Sequence, residues 1–235
     1  MDLRRYLDTH FLTQSQLLAA TGIDAKALAA LAGMPKPSYR LRLGIGCDSF
    51  FGAHAVLHQV DYYANGHPSW IAILLTLRNE ADARQVFGQR YRARLAQLAA
   101  AGIASDAPTL NAGLDAHLDD AWSYFLDGTH GLCTRSGLPE DIASKEMAMP
   151  IVKQQTGASS ELPCERALTA VERPRLLNSV NLLDAASAPF APHELARNSR
   201  RRLVDQVRKI IACHSWALIP PAPARSWLPS ACLPA

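Results

Sequence analysis

Between Leu110 and Phe125 the apolar side chains return at Leu110, Leu114, Leu118, Trp122 and Phe125, a nearly unbroken stripe along one helical face. Such a stripe must be buried against other helices, so it commits this part of the chain to an α-helical core. The neighbouring segments agree. Val86, Tyr91, Leu95 and Leu98 follow helical spacing within residues 80–101, with arginines between them. Ser69 is placed to cap a helix carrying Trp70, Ile71, Ile73, Leu74 and Leu77. Pro139 stands in the first turn of a helix near 139–155, where Pro150 predicts a kink or division. Leu176 to Asp184 reads as a shorter helix, and a last one opens at Pro192 and runs to about Cys213.

The N-terminal region differs. Thr13 and Gln16 form a capping box for a helix through Ala20, Thr21-Gly22 breaks it, and Asp24 caps a second helix from Ala25 to Ala32. Leu17 to Leu31 resembles the opening of MerR-type winged helices, a resemblance that implies DNA binding through the second helix. That helix offers only Lys26 among alanines and leucines, whereas base reading calls for Arg, Lys, Asn or Gln. Next, Tyr39 to Ile45 alternates apolar and basic residues, which predicts a short strand or hairpin near 38–46. A helix is expected from about Ser49 through His58. The fold expected is mainly α, with a helix-turn-helix-like module over 1–46, an all-α body over 47–214 and a Pro-rich extended tail over 215–235.

Apolar residues make up 49% and charged residues 19% of the 235, a balance that excludes a disordered chain. No apolar run approaches the ~18 residues of a membrane span, and Met1 to Tyr6 lacks the pattern of a signal peptide, so a cytoplasmic protein is expected. Five cysteines without a C-x-x-C pair argue against a disulfide framework and a thiolate zinc site. The net charge of +3 is uneven: residues 1–46 carry +3, 47–190 carry −5 and 191–214 carry +4.

Four constellations could carry chemistry. In the glycine-rich stretch from Asp127 to Pro139, Cys133 is the candidate nucleophile or substrate contact, His130 a proton acceptor and Thr134 a binding residue. Downstream, Glu146 among Met147, Ala148 and Met149 is a candidate acid or base, since an apolar setting raises a carboxyl pKa; an ordinary salt bridge on an amphipathic helix is the plainer reading. In the last helix, His193 is a proton-transfer candidate, and Arg197, Arg200 and Arg201 form a face suited to a phosphate or an acidic partner, unless they pair internally with the acidic body. His54, His58 and Asp61 would share a face of a continuous helix and form a metal site, a third possibility beside catalysis without metal.

Taken together, Asp127 to Thr134, Lys145-Glu146, and Pro189 to Glu194 with Ser199-Arg200 resemble a bacterial family labelled natural-product biosynthesis proteins. The resemblance extends from Phe11 to about Arg208, taking in Phe50-Phe51, Tyr62-Tyr63 and Trp70, and it brings no catalytic assignment. It implies a small enzyme or accessory factor acting on an amino-acid-derived, carrier-bound or free intermediate. No cofactor is named by any pattern. The expected partner is a small molecule or carrier protein, with nucleic acid as the MerR-like alternative; nothing in the sequence speaks to oligomeric state.

Overall fold

The computed structural model describes residues 2–156, 169 and 171–216. The Pro-rich segment after Trp216 and the side chains of Cys164, Cys213 and Cys232 lie outside the described part. Two regions emerge, an N-terminal module with a small sheet and a helical body.

The module runs α1 (Leu3–His10), β1 (Phe11–Thr13), α2 (Gln14–Thr21), α3 (Ala25–Ala30), β2 (Tyr39–Ser49) and β3 (Gly52–Ala64). The predicted capping box is present: Thr13 Oγ1 accepts from the Gln16 amide and Gln16 Oε1 accepts from the Thr13 amide. Asp24 likewise caps α3, accepting from the Ala27 amide at 2.7 Å. The three strands are antiparallel in the order β1-β3-β2. The module thus runs helix, strand, two helices and a hairpin, and the far end of β2–β3 projects from it as a wing.

The wing corrects the sequence analysis. The segment expected to be helical from Ser49 through His58 is instead the turn and second strand of a long hairpin, paired without a gap from Tyr39↔Tyr62 to Ser49↔Gly52. The body is therefore not all-α from residue 47, and the 46–47 boundary falls inside β2. The physical reason is legible in retrospect. His54, Val56, His58, Val60 and Tyr62 alternate with Ala55, Leu57, Gln59 and Asp61, a period of two that the H-x-x-x-H spacing disguised as helical.

The body comprises α4 (His67–Leu74), α5 (Glu80–Ala100), α6 (Leu114–Leu126), α7 (Thr129–Cys133), α8 (Pro139–Thr156), α9 (Glu172–Ala186) and α10 (Gln206–Trp216). Pro68, rather than Ser69, lies at the start of α4. The glycine-rich stretch contains the one-turn helix α7, and α8 continues through Pro150 without division. The helix expected from Pro192 to Cys213 is broken: a 3-10 turn at Pro192–Glu194 and a π-helical segment at Arg201–Asp205 precede α10, which runs three residues further.

The core is aromatic. Trp70, Phe87, Trp122 and Phe125 meet with ring centroids 5.0–6.4 Å apart, joined by Leu74, Leu95, Ile142 and Ile151. Trp70 is fully buried and donates its indole N–H to the Gly33 carbonyl at 2.9 Å, which ties the module to the body. A second cluster joins α8, α9 and α10 through Val152, Leu176, Val180, Leu183 and Val207. A third packs Ala191 against Tyr6, Leu7, Phe11 and Tyr62 of the module.

Gly128 makes the tight link between α6 and α7 at φ +79°, and a Cβ there would come within 2.7 Å of the Lys36 carbonyl oxygen. Both the left-handed backbone and the backbone obstruction resist a side chain. Gly128→Ala is expected to lower stability by about 2–3 kcal/mol in urea unfolding, against a smaller loss for Gly52→Ala, which shares a positive φ but faces open space.

Candidate functional site

Four helices of the body each contribute one polar side chain to a single neighbourhood. Tyr91 comes from α5, His117 from α6, His130 from α7 and Glu146 from α8. Glu146 Oε2 accepts a hydrogen bond from the Tyr91 hydroxyl and lies 2.8 Å from His117 Nε2, which is also 3.3 Å from the Tyr91 oxygen. The His117 and Glu146 side chains are 22% and 23% exposed, reachable from solvent, whereas Tyr91 and His130 are buried behind them.

Their environments pull the protonation states apart. Hydrogen bonding to Glu146 raises the His117 pKa above its ordinary value, against the opposing effect of burial. Burial pushes the His130 pKa down to about 4, so this imidazole is neutral at pH 7, and its buried Nε2 has no hydrogen-bond partner. Burial alone would lift the Glu146 carboxyl; the hydrogen bonds from His117 and Tyr91 outweigh it and hold the group below its ordinary value. Tyr91 is raised by burial and by the adjacent Glu146 charge, and so remains a neutral donor. The apolar setting expected to raise Glu146 is thus overturned by its polar partners, and its ion pair is with His117 rather than with its sequence neighbour Lys145.

Lys145 points elsewhere. It is buried, donates from Nζ to the Cys133 carbonyl at 2.7 Å and lies over the Phe190 ring at 5.7 Å. Phe190 holds a positive φ of 63°, the lone non-glycine residue to do so among the described residues. Around this clasp the stretch Cys133-Thr134-Arg135 is bonded to the end of α9: the Ala188 amide donates to the Cys133 carbonyl, the Arg135 amide to the Ala186 carbonyl and Arg135 Nε to the Ala185 carbonyl. Thr134 is buried and its hydroxyl is used internally, donating to the His130 carbonyl at 2.6 Å and accepting from the Gly137 amide.

The remaining candidates separate. Cys133 closes α7, half-buried, six positions before the start of α8 at Pro139. His193 is 60% exposed beside Glu194, whose carboxylate accepts from the Tyr39 hydroxyl at 2.7 Å. No hydrogen bond or ion pair joins Cys133, His193 and Glu146. Arg200 pairs with Asp184, as does Arg208 at 2.9 Å, so part of the basic face is consumed internally, while Arg197 and Arg201 stay exposed. His54 and His58 lie four apart on β3 with Asp61 on the opposite strand face, bonded to Arg40 at 2.7 Å. The helical face proposed for a metal therefore does not exist, and no cluster of three His, Cys, Asp or Glu among the described residues is arranged to hold one. Tyr91 and His117 are what the sequence analysis missed: Tyr91 counted as apolar, and His117 sits beside the Leu114–Leu118 stripe without drawing notice.

Residues 83–212 match a family of unknown function (DUF6058). The chain belongs to this family. The matched segment contains all four residues of the polar cluster and the Lys145 clasp, and it leaves out the N-terminal module. No curated protein and no solved structure matches the chain. No helix among the described residues is long and apolar enough to cross a membrane.

The raised pKa of His117 sets the pH window of its ion pair. Its stabilisation is fully present below the ordinary value of 6.5 and is lost as pH climbs through the raised one, while the lowered Glu146 pKa preserves the pair down past 4.5. His117→Ala is expected to cost about 2 kcal/mol at pH 5.5 and clearly less at pH 9, read from paired urea denaturation curves.

Proposed function

We propose that the family domain is the catalytic part of a small enzyme of specialised metabolism, moving a proton within an amino-acid-derived substrate. The observation that carries this is the pair of histidines flanking Glu146 with pKa values displaced in opposite directions. His130, neutral and with a free Nε2, presents a hydrogen-bond acceptor to the substrate; His117, its pKa raised by the hydrogen bond to Glu146, takes up and returns the proton. Tyr91 and Glu146 fix the His117 ring. The resemblance to natural-product biosynthesis proteins supports the metabolic setting, and the exposed Arg197 and Arg201 suit an acidic carrier. Cys133 remains the candidate for substrate contact on the α7 side of the cluster.

The test is to incubate the full chain with a small-molecule extract of its source cells and follow mass changes. A species altered by the wild type and spared by Glu146→Gln and His130→Gln, both folded by near-ultraviolet circular dichroism, is the expected result. Turnover unchanged in both variants would remove the proposal. Cys133→Ser separates a covalent role, which abolishes turnover, from a contact role, which raises KM.

The order of helix, strand, two helices and hairpin in the module favours a second reading, a regulator that binds duplex DNA through α3. Its chemistry is thin, since the exposed part of α3 offers Ala25, Ala29 and Ala30 beside Lys26. Salt-dependent binding of labelled duplex DNA, lost in Lys26→Glu, would establish it over the enzyme.

A further inference from the structure

From Gly44 to Leu57 the β2–β3 hairpin stands away from the molecule, exposed on both faces. Ile45, Leu57, Phe50 and Phe51 are 53, 67, 97 and 95% exposed, an unusual apolar display for a two-stranded ribbon that has no support of its own. With sheet order β1-β3-β2, strand β2 is an edge whose outward backbone groups are unpaired. Of the usual protections only charge is present, in Arg40, Arg42 and Asp48: no Pro or Lys lies between Tyr39 and Ser49, and the eleven-pair ladder has no bulge.

We propose that this edge is a homodimer interface, in which β2 of one copy pairs antiparallel with β2 of a second copy about a two-fold axis at Ile45. The sequence of the strand is self-complementary in that register. Ile45 faces its own counterpart, Leu43 faces Cys47 and Arg42 faces Asp48, twice each by symmetry. Among the described residues Arg42 and Asp48 have no ion-pair partner, unlike Arg40, which is occupied by Asp61. Sequence parity is respected, so Arg42·Asp48 and Gly44·Gly46 lie on one face and the apolar pairs on the other. Extending the register brings Phe50 and Phe51 level with Arg40 and Tyr39 of the second copy, at the root of its arm, which gives the aromatic tip a surface to cover.

The area is sufficient. The exposed apolar side chains of one arm offer about 600 Å², with ~200 Å² for an exposed Phe. Half-buried in both arms and matched by the receiving surface, this amounts to about 1,200 Å², the lower bound of stable interfaces.

The test uses the full chain in sedimentation equilibrium at micromolar concentration. The expected wild-type mass is twice 25.5 kDa. Arg42→Asp and Asp48→Arg each set like charges opposite one another and should weaken association at least about tenfold, while the double exchange restores it. Leu43→Cys should form a covalent dimer through Cys47 on mild oxidation, absent when Cys47→Ser is added; within one chain these positions are too far apart on a strand to bridge. A monomeric wild type, or a double exchange no tighter than the singles, overturns the proposal. Crosslinking by Leu41→Cys in place of Leu43→Cys overturns the register.

Discussion

One carboxylate holds the centre of the body. Glu146 on α8 receives α5 through Tyr91, itself part of the aromatic core, and α6 through His117. Three helices that pack through Phe87, Phe125 and Ile142 are thereby also fixed in rotation about their axes, because a hydrogen bond constrains direction where apolar contact does not. The cost of burying the charge is met by two donors, and the same donors prevent the carboxyl from taking up a proton at neutral pH. Pro150, four residues on, removes the N–H that would have bonded the Glu146 carbonyl, yet α8 runs through it without division.

Beside this site, Lys145 organises a different junction. Its ammonium binds the Cys133 carbonyl and faces Phe190, and the strap from Cys133 to Arg135 is sewn to the end of α9. The words that resembled one family in the sequence are thus drawn into two adjacent structures on α8, one clasping the α7 strap and one serving the polar cluster. Neighbouring helix positions point about 100° apart, which is how Lys145 and Glu146 serve different sites. Phe190 pays for its positive φ by closing the path from α9 towards the module, where Ala191 packs on Phe11 and Tyr62.

The helical body was legible because its stripes are long and their period unambiguous, as with Leu114, Leu118, Trp122 and Phe125. So were the caps at Thr13 and Asp24, where one short polar side chain has one local task. The hairpin was not, because His54 and His58 fit both a helical spacing of four and a strand spacing of two, and the exposed Phe50-Phe51 turn carries no common turn signal other than Gly52. The break at Pro192–Asp205 escaped notice because the arginines keep helical spacing while Asn198 and Arg200 bond locally or to Asp184. Within the candidate site, His130 and Glu146 were found and their partners were not. A buried tyrosine looks apolar in a periodicity count, and long-range pairing across 55 residues leaves no local trace.

The opposed protonation of the two histidines is the central claim, and proton-carbon NMR titration of the imidazole rings measures it directly. The account predicts that the His130 resonance, assigned by its loss in His130→Gln, stays neutral down to about pH 4, and that His117 titrates above 6.5. Coincident midpoints near 6.5 would contradict it, since neither histidine would then be held in a distinct state by its surroundings.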